Sequence, residues 1–215
     1  MNLLITARLR NGFAASDPWS PSLDAILAYW FVRERDGEAA CTAAAADTAS
    51  LHAVEGLPLE RITHGDWWWY ACSSPIIDEQ AQIQRFYHRR FDAVAAERYA
   101  KVRGRVQTQA GPYKAARLSQ VVHVCPEVRW HAIGDAVEVE RLLRRCSAIG
   151  AKIGSGFGAV AEWRVESGGD PELARHGRPV VAEYASAHNL GGPRMWWGLR
   201  PPARLVSNQA LCVMP

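Results

Sequence analysis

Four glycines fall within residues 149–158, IGAKIGSGFG, and what flanks them narrows the fold. Upstream, Asp135 reads as a helix cap, and Val139, Leu142, Leu143, Cys146 and Ile149 recur at helical spacing. Glu138, Arg141, Arg144 and Arg145 lie toward the other side of that helix. Downstream, residues 159–165 alternate like a strand. This order excludes two nucleotide loops. A Walker A loop needs GxxxxGK[ST] between strand and helix, but here Lys152 precedes the second glycine and no GK[ST] occurs. A Rossmann loop leaves a strand and enters a helix, so that the helix N-terminus faces the pyrophosphate. The context here is reversed, and a helix C-terminus presents carbonyls. An anion would therefore be held by loop amides and Lys152. A C-cap at Gly150 with a kinked strand entry would account for one glycine. Four spaced in this way point to close approach by something else.

Elsewhere the pattern alternates between strand and helix. Leu3, Ile5, Ala7 and Leu9 share one face of an opening strand, with Thr6 and Arg8 on the other. Ser20-Pro21 reads as a helix start, serine capping and proline first, and Leu23, Ile26, Leu27, Trp30 and Phe31 form its core-facing stripe before Gly37. Residues 38–65 are open between helix and loose connection. Strands are predicted at 66–72, 84–91, 118–124, 128–133 and 205–213, the second with Arg85, Tyr87 and Arg89 on one face. The outcome is a single α+β domain over 1–215, a ferredoxin-like sheet with helices on one face.

Charge is unevenly placed. The net charge is +3, but residues 85–117 hold nine basic residues against Asp92 and Glu97. That stretch includes Arg85, Arg89, Arg90, Arg103, Arg105, Lys114 and Arg117. It reads as a basic arm over about 93–117 that attracts polyanions, nucleic acid first, or else as a solvated face paired with acids. Five scattered cysteines without CxxC point to reduced thiols in a cytoplasm, and no leader or membrane span is read. The seven histidines show no metal spacing, and no GxSxG elbow is present. Neither a metal nor a cofactor is expected. His88 or His123 could serve as an acid/base for RNA cleavage. Trp67, Trp68 and Trp69, like Trp196 and Trp197, could stack bases or fill the core.

A helix, a G-x-K-x-G-x-G-x-G loop and a strand in an α+β chain resemble the RAMP superfamily of CRISPR-associated proteins. The segment PWSPSLDAILAYW (18–30) is similar to the subunit that caps the 5′ end of a guide RNA. RFYHRRFD (85–92) and MWWGLRPPARL (195–205) resemble its type IV version. The resemblance implies a ferredoxin-like (RRM-like) fold and a non-catalytic subunit that binds the 5′ handle of the CRISPR RNA. It also implies as partners a repeated backbone subunit and other effector subunits, with target DNA met indirectly. Gly150, Lys152, Gly154, Ser155, Gly156 and Gly158 match the family's loop, and Arg85, Arg89 and Arg90 fall in the basic segment. The alternative within the superfamily is a metal-independent endoribonuclease that cuts repeat RNA.

Overall fold

The opening strand lies at the centre of the main sheet. A computed structural model describes residues 1–38, 52–92, 109 and 114–215. In chain order its elements are β1 (Asn2–Leu9), β2 (Phe13–Ala14), α1 (Leu23–Asp36), β3 (Arg61–His64), β4 (Trp67–Tyr70), β5 (Ile76–Ile77), β6 (Ala81–Arg89), β7 (Ala116–Val124) and β8 (Glu127–Ile133). Then follow α2 (Ala136–Leu143), β9 (Val160–Ser167), α3 (Pro171–His176), β10 (Val180–Val181), α4 (Ala182–Ala187), β11 (Arg194–Gly198) and β12 (Gln209–Val213). The four-stranded sheet runs β5-β8-β1-β9, and each pairing in it is antiparallel. Smaller antiparallel sheets run β10-β12-β11, β2-β7-β6 and β3-β4. The chain is thus mixed α and β, with four helices among the described residues.

Leu3, Ile5 and Ala7 of β1 are fully buried, as the alternation requires, and pack with Val128, Trp130 and Ala132 of β8. Leu23 and Leu27 of α1 and Val139, Leu142 and Leu143 of α2 close this core from one side. On the opposite face Thr6 sits in register between Arg129 and Arg164, whose long stems account for its burial. That face is charged but balanced, with Arg164 bound to Glu162 at 2.9 Å and Arg8 close to the same carboxylate.

Several boundaries differ from the sequence expectation. Helix α1 begins at Leu23 with Ser22 at the N-cap, rather than at Ser20-Pro21. Asp135 does cap α2, accepting from the amides of Val137 and Glu138. That helix ends at Leu143, however, so Cys146 and Ile149 reach the core from a turn instead of completing a helical stripe. The strand expected at 205–213 splits into a 3-10 turn, Val206–Asn208, and β12. The strand expected at 66–72 is Trp67–Tyr70, because Asp66 belongs to the turn before it. The short helices α3 and α4 have no counterpart in the sequence pattern.

A second apolar cluster holds Trp69, Val180, Val181, Tyr184, Leu199 and Cys212. Arg178 ties it to the first. Its Nη1 donates to Asp24 Oδ2 at 2.9 Å, to the Tyr70 carbonyl at 3.0 Å and to Cys72 Sγ at 3.2 Å, while Nη2 donates to the Leu199 carbonyl at 2.8 Å. Both side chains of the ion pair are almost wholly buried. Burial is the largest single influence on Arg178 and opposes its charge, but Asp24, together with the neighbouring cysteines, outweighs it and keeps the guanidinium protonated. Burial also pushes the Cys72 thiol up to about 12, so it faces Arg178 uncharged.

Asp24→Asn strands that guanidinium without a counter-charge. The expected loss is about 3–5 kcal/mol, read in thermal unfolding as a fall of roughly 10 °C in Tm for a chain of this size. His131 generates a second expectation. Its Nδ1 accepts the Asp170 amide at 2.9 Å, and burial holds its pKa below the ordinary imidazole value. The unfolded chain therefore binds this proton more readily, so the contribution is complete above the ordinary pKa and is lost as pH falls through the folded one. In urea unfolding on either side of that range, His131→Asn, whose Oδ1 keeps the acceptor, should lose less stability on acidification than the wild type.

Candidate functional site

The glycine loop is built onto the turn between β1 and β2. Ala151 N–H donates to the Ala14 carbonyl at 2.7 Å, Gly158 N–H to the Gly12 carbonyl at 2.8 Å, and Asn11 Nδ2 to the Gly156 carbonyl at 2.8 Å. Ile149 N–H closes the loop on the Gly158 carbonyl at 2.9 Å. Between these anchors Ile153–Ser155 makes one 3-10 turn, preceded by Lys152 in the left-handed region at φ 57°. Lys152, Gly154, Ser155 and Gly156 are all exposed.

The four glycines do different jobs. Gly158 has φ 72°, and a Cβ there would run into the Ile149 carbonyl. Gly150 has φ 80°, and its Cβ would lie 2.6 Å from the Ala14 carbonyl. These two let the loop close and dock. Gly154 is different: its φ is not in the left-handed region and a Cβ would meet nothing within 4 Å. Gly156 is also open in space, although its φ of 86° favours glycine. Gly150 and Gly158 thus carry an internal constraint, while Gly154 and Gly156 stand open in space.

β2 leads from the loop to the basic segment. Ala14 bridges to Ala151 on one side and pairs with Val122 of β7 on the other, and β7 pairs along its whole length with β6. The β6–β7 hairpin is the described part of the arm and starts earlier than the stretch 93–117. It exposes residues of both strand faces: Arg85, Phe86, His88 and Gln84 on β6, and Arg117 and Leu118 on β7. The Arg117 guanidinium lies 3.8 Å from the centre of the Phe86 ring. Arg90 and Lys114 are exposed just beyond the strands. Arg103, Arg105 and the side chain of Arg89 lie outside the described residues.

A cleft of about 700 Å³ opens beside the loop. The loop residues 149–151 and Ile153 form one wall, and Ile26, Tyr29, Trp30 and Arg33 of α1 form another. Arg33 stacks on Trp30 at 5.2 Å and pairs with Glu38 at 3.1 Å. The sequence pattern places Trp30 in the core stripe and does not single out Tyr29 or Arg33. The available signal is their i, i+4 spacing on the flank of that stripe.

Arginines outside the arm are largely engaged. Arg141 forks onto Glu34 at 2.7 and 2.8 Å, and its hydrogen bond holds the Glu34 carboxyl below the usual range. Arg144 meets Glu140 at 2.8 Å. Of the two candidate acid/base histidines, His123 contacts Glu79 and stacks on Phe13, while His88 is exposed opposite Arg117. No group of three His, Cys, Asp or Glu among the described residues is placed to hold a metal ion. The described cysteines, Cys72, Cys125, Cys146 and Cys212, are free and buried. No helix among the described residues is long and apolar enough to cross a membrane.

A family model described as CRISPR type IV associated protein Csf3 matches residues 2–202, and the chain belongs to that family. No curated protein matches the chain. The match agrees with the type IV resemblance of RFYHRRFD and MWWGLRPPARL.

The division among the glycines is measurable by thermal unfolding. Gly154→Ala should leave Tm unchanged. Gly158→Ala should lower it by several degrees, because a left-handed alanine costs roughly 1–2 kcal/mol before the collision with Ile149 is relieved.

Proposed function

We propose that this type IV CRISPR-associated chain is a non-catalytic subunit that binds the 5′ handle of the CRISPR RNA and caps the backbone of the effector complex. The observation that carries the reading is the position of β2. Through buried Ala14 it joins the glycine loop to the basic hairpin by backbone pairing, so the two segments singled out for phosphate contact are fixed relative to one another. Lys152 is exposed on the loop, and Arg85, Arg90, Lys114 and Arg117 are exposed on or just beyond the hairpin strands. Exposed Phe86 under Arg117 adds a stacking surface of the kind single strands use.

The finer fold assignment has its own support. The strand order β5-β8-β1-β9, with α1 following β1 and α2 following β8, is the arrangement of a split βαβ unit. That is the basis for reading a ferredoxin-like RAMP core to which the hairpin and the β10-β12-β11 sheet are added. The open face of that core is charged and balanced, so the RNA path is assigned to the loop and the arm. Its partners are the CRISPR RNA, a repeated backbone subunit and other effector subunits, with target DNA reached through the guide.

The test is binding of repeat-derived single-stranded RNA to the full chain across a salt series. Lys152→Glu and Arg85→Glu should each weaken binding and make the plot of log affinity against log salt shallower, by about 0.7 for each phosphate left without its cation. The double variant should lose more than either. Wild-type affinity and slope in the double variant would sink the reading. In the same mixtures without metal the RNA should stay intact. A defined cut that His88→Ala removes would assign the endoribonuclease reading instead.

A further inference from the structure

Two arginines apart from the loop and the arm converge on one indole. Arg61, on β3, places its Cζ 4.2 Å from the centre of the Trp68 ring, and Arg200, just after β11, places its Cζ 4.7 Å from the same ring. The two cations are therefore within about 9 Å of one another, and the Arg61 charge is felt at Arg200. Arg200 is held in place. Its Nε donates to Asn208 Oδ1 at 2.9 Å and Nη2 reaches the Ser207 carbonyl at 3.4 Å, while buried Asn208 is itself anchored to the Pro202 carbonyl at 3.1 Å. The third nitrogen, Nη1, is shielded from solvent and has no hydrogen-bond partner among the described residues. Burial, and then the neighbouring Arg61 charge, lower the Arg200 pKa from its ordinary value.

A guanidinium fixed over the Trp67 and Trp68 rings beside a second cation, with a single carboxylate reaching the pair, is an arrangement short of one anion. Glu55 approaches Arg61 at 3.6 Å, but it is an exposed carboxylate, and no carboxylate among the described residues forms an ion pair with Arg200. Two arginines and one glutamate leave a single positive charge, which one phosphodiester balances. We propose that Arg61 and Arg200, organised on Trp68, form a second phosphate-binding site, taking a backbone phosphate of the bound RNA. The RNA assignment rests on the function proposed above, whereas the phosphate chemistry does not.

Two measurements on the full chain separate these. Inorganic phosphate, compared with chloride at equal ionic strength, should raise the wild-type Tm, and Arg61→Gln and Arg200→Gln should each abolish the rise. For a short single-stranded RNA, each variant should bind more weakly, with a salt slope shallower by about 0.7. Arg61 is exposed, so its variant keeps the test valid if Arg200→Gln disturbs folding. No phosphate effect together with an unchanged RNA slope overturns the site. A phosphate effect abolished in the variants while their RNA binding is unchanged overturns the RNA assignment and leaves a small-anion site. If the wild type binds no RNA yet shows the phosphate effect, the site stands and the RNA function falls. Variants that keep RNA binding but no longer bind poly-glutamate would assign the site to an acidic partner and overturn the proposal.

Discussion

A guanidinium removed from water has to find its partners inside the protein, and the surroundings of Arg178 are arranged around that demand. Asp24 comes from the first turn of α1, Tyr70 from β4, Cys72 from the segment after it, and Leu199 from the residue following β11. None of these segments is adjacent to Arg178 in the chain. The pair therefore sets where α1 begins relative to the sheet and how the small β10-β12-β11 sheet lies against β4. Nε has no partner among the described residues, so the site is nearly but not wholly satisfied. Apolar contact alone would let the two clusters slide past one another; directional bonds from one rigid fork do not.

With α1 so placed, the remaining geometry follows. Its exposed flank becomes one wall of the cleft, and the glycine loop, docked by Gly150 and Gly158, becomes the other. Those two glycines are spent on the loop's own closure. Gly154 and Gly156 are left facing open space, beside Lys152 and Ser155. A dense glycine motif thus mixes positions that build the loop with positions that can admit another molecule, and only the backbone geometry tells them apart.

What can be read from the sequence is local. The alternation of β1, the stripe of α1, the Asp135 cap and the course of β6 all follow from neighbouring residues, because period and capping are short-range physics. The end of α2 at Leu143 is hidden because Cys146 and Ile149 keep helical spacing while entering the core from a turn. Helices α3 and α4, six residues each, are too short to show a period. The candidate site is half legible. The loop and the basic strand stand out by composition, but their junction through Ala14 is a pairing of distant segments. Arg61 and Arg200 leave no trace, since only the fold brings them to Trp68.

The β6–β7 hairpin carries one more consequence. Exposed along both of its strands, it has Ile83, Phe86 and Leu118 in water and little beneath it to bury them. A two-stranded ribbon of this kind is marginal by itself. Its shape in the assembled particle is therefore a joint property of the ribbon and whatever lies against it, and the order it gains there is subtracted from the affinity. Its backbone amides should be among the fastest to exchange hydrogen in the free chain, and the slowing of that exchange would mark the moment of assembly.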